Sequence, residues 1–139
     1  MADIQKTISE IGTRIYSHAK NNYNELGFLQ NEKDWFLGML YFLGEQEAEN
    51  RFLYEQSEAF LEAEKVRIFL EQKKIGSSDA LCNMQSKGLT AHIKVESLNN
   101  QKSYLKVKHT KESVSKMVDS ISQKISILRR EEEFNQHIK

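Results

Sequence analysis

The sequence YLKVKHTKESVSKMVDSISQKISIL, residues 104–128, has its apolar side chains at intervals that alternate between three and four residues. This spacing is the heptad pattern of an α-helix that packs along a narrow seam. The seam positions are Tyr104, Val107, Lys111, Val114, Val118, Ile121, Ile125 and Leu128. We expect Lys111, the charged residue among them, to set the register or to extend its ammonium group out of the seam. The stretch therefore predicts a long helix with one packed face.

The composition of the whole chain favours the same fold class. The 139 residues contain no proline, whereas an average usage of ~5% would give about seven. Proline removes a backbone hydrogen bond and clashes with the preceding helical turn, so its absence favours long, uninterrupted helices. A chain of this length normally forms one domain. We therefore predict a single all-α domain in which long helices form a coiled-coil-like hairpin or bundle.

Capping signals divide the chain into three predicted helices. These cover about residues 3–22, 31–74 and 90–134, and a polar break separates the last two at residues 75–89. Asn31 is predicted to be an N-cap, because its side chain can accept a hydrogen bond from a free backbone N–H, and Thr90 can cap the third helix. Gly76 can adopt the left-handed conformation that ends a helix, and Ser78 or Asp79 can begin the next one. We expect the polar residues 83–90 to form a loop.

The first two predicted helices also carry seams. Ile4, Ile8, Ile11 and Ile15 give the first helix a heptad pattern. The second helix is apolar nearly all round at residues 35–43 and then narrows to a seam of Phe52, Gln56, Ala59, Ala63, Val66 and Leu70. Alanines on a seam allow a close approach of another backbone.

Self-association is expected because the second helix is long for so short a chain. A helix over residues 31–74 would extend over roughly 65 Å, more than a chain of this size can cover when folded compactly. The sequence therefore predicts a homo-oligomer. The residues predicted for self-association are Ile4, Ile8, Ile11, Ile15, Trp35, Phe36, Leu40, Val114, Val118, Ile121, Ile125 and Leu128.

Charge is balanced overall but unevenly distributed. The chain has 20 Lys+Arg and 20 Asp+Glu, yet the segment KSYLKVKHTK (residues 102–111) alone holds four lysines. On a helical wheel, the basic side chains outside the seam are Lys94, Lys102, Lys106, Lys108, Lys116, Lys124 and Arg130. Such a face suits nucleic-acid phosphates, with Ser113, Ser115, Ser120 and Ser126 as hydrogen-bond donors and Tyr104 as a stacking surface.

A second interpretation of the basic face involves no partner. Lysines commonly form the solvated side of an amphipathic helix, and here they could also neutralise the acidic segment at residues 45–64. That segment contains seven glutamates and one arginine. The sequence is compatible with both interpretations, because asymmetric charge is evidence about partners rather than about fold.

Several classes of site are absent from the sequence. There is no glycine-rich phosphate loop, no nucleophile motif and no pair of histidines or cysteines at metal-ligand spacing. Glu133 and His137 lie four residues apart, which is more typical of a solvated pair. The single Cys82 excludes an internal disulfide and fits a reducing compartment. With no signal peptide or membrane span evident, we expect a cytoplasmic, non-enzymatic protein without cofactor or metal.

From about Tyr54 to Phe134 the layout resembles phage recombination mediators of the UvsY type. The resemblance lies in EAEKVR (residues 62–67), the break at residues 76–88, TAHIKVES (residues 90–97) and ILRREEEF (residues 127–134). Members of this family are all-helical proteins that help to load a RecA-like recombinase onto single-stranded DNA. The resemblance implies oligomeric rings, binding to single-stranded DNA and to recombination proteins, and DNA contacts at Lys65 and Arg67.

The favoured function is therefore an oligomeric, non-enzymatic protein that binds single-stranded DNA and assists recombinase loading in phage-type recombination. One alternative is a phage or mobile-element protein that binds and inhibits a host defence protein, for which the acidic segment would matter more than the lysines. A further alternative is a structural coiled-coil adaptor.

Overall fold

The computed structural model describes residues 3–138 and confirms the all-α prediction. Its helices are α1 (Ile4–Lys20), α2 (Leu26–Lys74), α3 (Asp79–Leu89) and α4 (Ala91–Ile138), and residues 3–138 contain no strand. The long helices α2 and α4 pack against each other. Helix α1 begins after Asp3, whose carboxylate accepts a hydrogen bond of 3.1 Å from the backbone N–H of Gln5.

Helix α2 begins earlier than the sequence predicts. Glu25 caps it, because its carboxylate accepts hydrogen bonds from the backbone N–H groups of Gly27 at 3.1 Å and Phe28 at 2.7 Å. A carboxylate at this place satisfies two free donors and interacts favourably with the positive end of the helix. Asn31 is instead an exposed residue within α2, so its prediction as the N-cap is wrong.

The end of α2 has the geometry that its glycine predicts. Gly76 has a φ of 86°, and its N–H donates to the carbonyl of Lys73 at 3.0 Å, while the N–H of Ser77 donates to Gln72 at 3.1 Å. These two bonds form a Schellman motif, which satisfies carbonyls at the end of a helix. Ser78 then caps α3, as predicted, by accepting a hydrogen bond from the backbone N–H of Leu81.

The polar break predicted for residues 75–89 is wrong from Asp79 onward, because α3 occupies Asp79–Leu89. The polar side chains here find partners inside the helix. The hydroxyl of Ser86, which is buried, donates to the carbonyl of Asn83 at 3.0 Å. A serine that bonds to its own helix can lie on a packed face, and a pattern of polar residues does not reveal this.

Thr90 is the residue between α3 and α4. Its hydroxyl donates to the carbonyl of Ser86 at 2.6 Å, and its own carbonyl accepts the N–H of Lys94 at 3.0 Å. The fourth helix therefore starts where the sequence predicts, but the Thr90 side chain closes α3 rather than opening α4.

The described residues form two compact units. Unit 1 combines the residues up to Glu45 with those from Val107 onward, and unit 2 consists of Gln46–Lys106. Helices α2 and α4 each contribute a segment to both units. The single-domain interpretation of the chain stays a prediction.

The core of unit 1 uses the heptad seams of α1 and α4. Its buried side chains are Ile11, Leu29, Phe36, Leu43, Val107, Val114, Ile121 and Ile125. Four of these eight are α4 seam residues spaced by four or seven, so the packed face predicted for residues 104–128 is confirmed. Lys111, on the same seam, is half-buried.

All twelve residues predicted for self-association contribute to this same core. Five of them are buried, and seven are partly buried against these: Ile4, Ile8, Ile15, Trp35, Leu40, Val118 and Leu128. The five buried side chains are not available to contact a second copy, whereas the seven others keep part of their surface exposed. These residues therefore stabilise unit 1, and their part in self-association stays a prediction.

Unit 2 has a smaller apolar core, built from Leu61, Ile68, Cys82 and Ile93. The seam predicted for this part of α2 does not pack within the chain, since Phe52, Val66 and Leu70 are 62%, 56% and 54% exposed. This segment of α2 has apolar residues on two opposite sides, and the chain supplies partners for only one of them. The spacing of Leu61 and Ile68, seven residues apart, marks the side that is buried.

Candidate nucleic-acid interface

Most basic side chains in the second half of α2 are paired with carboxylates close in sequence. Arg67 donates to Glu71 at 2.7 Å and to Glu64 at 2.8 Å, and Arg51 donates to Glu55 at 2.9 Å. Lys65 lies 3.5 Å from Glu62, and Lys73 pairs with Asp79. Three and four residues along a helix bring side chains to the same face, which explains the pairs within α2.

Lys65 and Arg67, the DNA contacts implied by the resemblance, are both members of these ion pairs. The hydrogen bond from Arg67 lowers the pKa of Glu64, and the same hydrogen bond raises the pKa of Arg67. Arg67 lies between two carboxylates, and Lys65 has one nearby. Their positive charges are therefore matched within the helix, which makes both residues poor candidates for phosphate contacts.

Three of the seven glutamates at residues 45–64 are neutralised from within α2. Glu55, Glu62 and Glu64 each have a basic partner on the same helix. Glu58 accepts a hydrogen bond of 2.7 Å from the hydroxyl of Tyr54, and this bond raises the pKa of the tyrosine. Glu47 of this segment also takes part in an interaction.

In unit 2, the two α4 lysines predicted to bind nucleic acid differ in their surroundings. Lys94 is exposed and lines a groove of about 400 Å³ together with Glu55, Glu58 and Glu62. Its charge therefore faces carboxylates, although no ion pair forms. Lys102 is also exposed, and no hydrogen bond or ion pair joins it to another residue of the described chain. Lys102 is the better candidate.

In unit 1, Lys116 and Arg130 are exposed and Lys108 is half-buried. None of the three makes an ion pair or hydrogen bond to a residue between positions 3 and 138. Two exposed carboxylates, Glu112 and Asp119, lie within one turn of Lys116 and reduce the positive potential around it. Lys116 and Arg130 nevertheless extend into solvent, and the donors of all three side chains are available.

The remaining predicted contacts on α4 have partners in the chain. The Nζ of Lys124 donates to the backbone carbonyl of Tyr23 at 3.1 Å, which attaches α4 to the segment between α1 and α2. Lys106 also takes part in an interaction, as does the seam residue Lys111. Lys124 is therefore primarily a structural residue.

Tyr104, predicted as a stacking surface for a base, is half-buried and lies against Tyr54. The two ring centroids are 6.2 Å apart with an interplanar angle of 23°. One face of Tyr104 is thus directed at another ring. The serines predicted to assist, Ser113, Ser115, Ser120 and Ser126, are all exposed.

A buried polar cluster in unit 1 was missed by the sequence analysis. His18 Nε2 lies 3.0 Å from Glu32 Oε1, and Arg14 donates to Glu32 Oε2 at 2.9 Å. The guanidinium of Arg14 lies 3.9 Å from the ring centroid of Trp35, and the imidazole of His18 has Phe36 among its aromatic neighbours. The cluster joins α1 to the start of α2. The one sign of this cluster in the sequence is that His18 continues the heptad spacing of the α1 isoleucines, which places it on the packed face of the helix.

The described chain offers little support for other kinds of site. In residues 3–138, no three His, Cys, Asp or Glu side chains form a group that could hold a metal ion. Glu133 and His137 lie in the exposed last turns of α4. No helix of this part of the chain is both long enough and apolar enough to cross a membrane. Comparisons with protein-family models, curated proteins and solved structures find no match.

Proposed function

We propose that this chain is a non-enzymatic, self-associating helical protein that binds single-stranded DNA and assists recombinase loading in phage-type recombination. It would act in the cytoplasm, or in the host cytoplasm if it is phage-encoded. We infer the single-stranded substrate and the recombinase from the resemblance of residues 54–134 to mediators of the UvsY type. The proposed binding surface consists of basic side chains on α4.

One observation carries the DNA-binding part of the proposal. Four of the five basic side chains in the second half of α2 are paired with carboxylates, whereas Lys102, Lys108, Lys116 and Arg130 of α4 have no partner in the described chain. Ammonium groups without carboxylate partners lose no ion pair when they contact phosphates. Each phosphate contact also releases counterions, which gives salt-dependent affinity without sequence preference.

The test is a fluorescence-anisotropy titration of a labelled oligothymidylate at several salt concentrations. The variant combines Lys102→Glu, Lys108→Glu and Lys116→Glu. We expect it to lose affinity at least about tenfold at low salt, and the slope of log affinity against log salt to fall by about two, since roughly 0.7 counterions are released per phosphate on single strands.

The matched control combines Lys6→Glu, Lys20→Glu and Lys87→Glu. These lysines are exposed and outside the proposed surface, and the change in net charge is the same. We expect the control to lose affinity by about threefold or less, through long-range attraction alone. Equal losses in the two variants, or no binding by the unmodified protein at low salt, would overturn the proposal. Absence of binding would favour an inhibitor of a host protein or a coiled-coil adaptor.

A further inference from the structure

An exposed row of apolar and small side chains follows the second half of α2. We call this row the α2 stripe; it consists of Phe52, Gln56, Ala59, Ala63, Val66 and Leu70. Every member is exposed, and the apolar residues Leu53 and Phe60 flank the row with 44% and 54% of their surface exposed. The buried Leu61 lies nine residues from Phe52 and from Leu70, which is about two and a half turns and hence the opposite side of the helix.

The stripe is large enough to be part of a stable interface. Its large apolar side chains together with Leu53 and Phe60 expose about 500 Å² per copy, which is at the upper end of the patches found on monomeric proteins. Two such surfaces, with the polar residues at their edges, approach the ~1,200 Å² or more that specific interfaces bury in total. The row also has the heptad spacing that pairs helices along a seam.

The stripe is complementary to itself when its direction is reversed. Phe52 and Leu70 are equally far from position 61, and the same holds for Ala59 and Ala63. An antiparallel copy therefore places phenylalanine against leucine at both ends and alanine against alanine near the centre. Small residues at the centre let the two backbones approach closely, and the large residues close the ends. A contact of this kind uses one patch on both copies, as a two-fold axis requires.

Charge at the next heptad positions favours the antiparallel direction. Glu49 precedes Phe52 and Lys73 follows Leu70, and both are equally far from position 61. In an antiparallel pair each Glu49 faces a Lys73, whereas a parallel pair would place glutamate against glutamate and lysine against lysine. Glu49 makes no ion pair with any residue in 3–138. Lys73 already pairs with Asp79, but an ammonium group has three donors and can serve two carboxylates.

We propose that two copies of this chain form an antiparallel, two-fold dimer through the α2 stripe. The proposal rests on the self-association in the proposed function and identifies its surface. It does not use the α4 lysines. Glu62 is the one acidic residue that approaches its own counterpart in this arrangement, and Lys65, 3.5 Å away, compensates its charge.

The first experiment measures molar mass by light scattering and by sedimentation across a concentration series, without DNA. The unmodified protein is expected to be a dimer. The variant Ala59→Glu with Ala63→Glu places charges at the centre of the interface and is expected to weaken the dimer about 100-fold or more. Both alanines are exposed in the helix, so the folded monomer tolerates the change.

The control Ala19→Glu with Ala80→Glu makes the same change at exposed positions away from the stripe, and it should remain a dimer. Glu49→Lys should weaken the dimer about tenfold by facing lysine with lysine, and Glu49→Lys with Lys73→Glu should restore most of that loss. A monomeric unmodified protein, an unchanged mass in the stripe variant, or no restoration in the double swap would overturn the proposal. Because no DNA is present, these outcomes are separate from those of the salt titration.

Discussion

His18 Nε2 and Glu32 Oε1 lie 3.0 Å apart in the interior of unit 1, with 2% and 14% of their side-chain surfaces exposed. The contact joins α1 to the first turns of α2, and Arg14 shares the same carboxylate. Removing one member of a buried polar cluster leaves the others desolvated without a partner. The cluster is therefore expected to contribute more to stability than the exposed ion pairs along α2.

Glu32→Ala tests this contribution. It leaves His18 and Arg14 without their acceptor, so we expect the free energy of unfolding to fall by about 2–3 kcal/mol, measured by urea denaturation followed by circular dichroism. Glu10→Ala is the matched control, because Glu10 also contacts Arg14, at 3.8 Å, but is 56% exposed. That change should cost less than about 0.5 kcal/mol. Similar losses for both would show that burial does not matter here.

Two isoleucines of α4 test the register of its packed face. Ile121 has no exposed surface, whereas Ile127 is 53% exposed. Ile121→Ala should destabilise the protein by about 2–5 kcal/mol through lost burial and a cavity, and Ile127→Ala by less than about 1 kcal/mol. Thermal and chemical denaturation of both variants measure the difference. Reversed magnitudes would mean that another face of α4 packs in unit 1.

Two glycines are expected to respond in opposite directions to alanine. Gly76 has a φ of 86°, a conformation that costs an alanine about 1–2 kcal/mol. Gly38 is exposed within α2, and an added Cβ would meet nothing within 4 Å. Gly38→Ala should therefore stabilise the protein by about 0.5–1 kcal/mol. Urea midpoints compare the two variants, and a stabilising Gly76→Ala would contradict the left-handed helix end.

Substitutions of Lys116 and Lys124, both on α4, are expected to have different effects: one on DNA affinity and the other on stability. Lys124 donates to the carbonyl of Tyr23, so Lys124→Gln should cost about 0.5–1.5 kcal/mol of stability. Lys116→Gln should leave stability unchanged and lower affinity for single-stranded DNA by about two- to threefold, as expected for one phosphate contact. Denaturation and anisotropy on both proteins test the pair. A larger affinity loss for Lys124→Gln would place the binding surface around Lys124 rather than Lys116.

The packing of a helix was predictable where its heptad pattern has only one apolar side. The isoleucines of α1 and the seam of α4 identified the core of unit 1, because each helix has a single apolar side. In the second half of α2 the sequence did not reveal which side packs within the chain, because both Phe52 and Leu61 lie on apolar rows and only tertiary packing chooses between them. Helix α3 was missed because the hydroxyl of Ser86 bonds to its own helix, so a buried position carries a polar residue.

The candidate site was predictable in part. The ion pairs of Arg67 with Glu64 and Glu71 follow from spacings of three and four, and the sequence therefore contained the argument against Arg67 as a DNA contact. The partner of Lys124 could not be anticipated, because Tyr23 lies 101 residues away in the chain. The contact between His18 and Glu32 depends on the turn between α1 and α2, whose geometry the sequence pattern does not give.

The single cysteine of the chain has a practical consequence. Cys82 has no exposed surface, and its Sγ lies 3.7 Å from the carbonyl oxygen of Ser77. A thiol reagent reaches such a sulfur only during a transient local opening, so the rate of labelling reports the free energy of that opening. Unit 2 thus contains an intrinsic kinetic probe of its own fluctuations, with no competing thiol elsewhere in the chain.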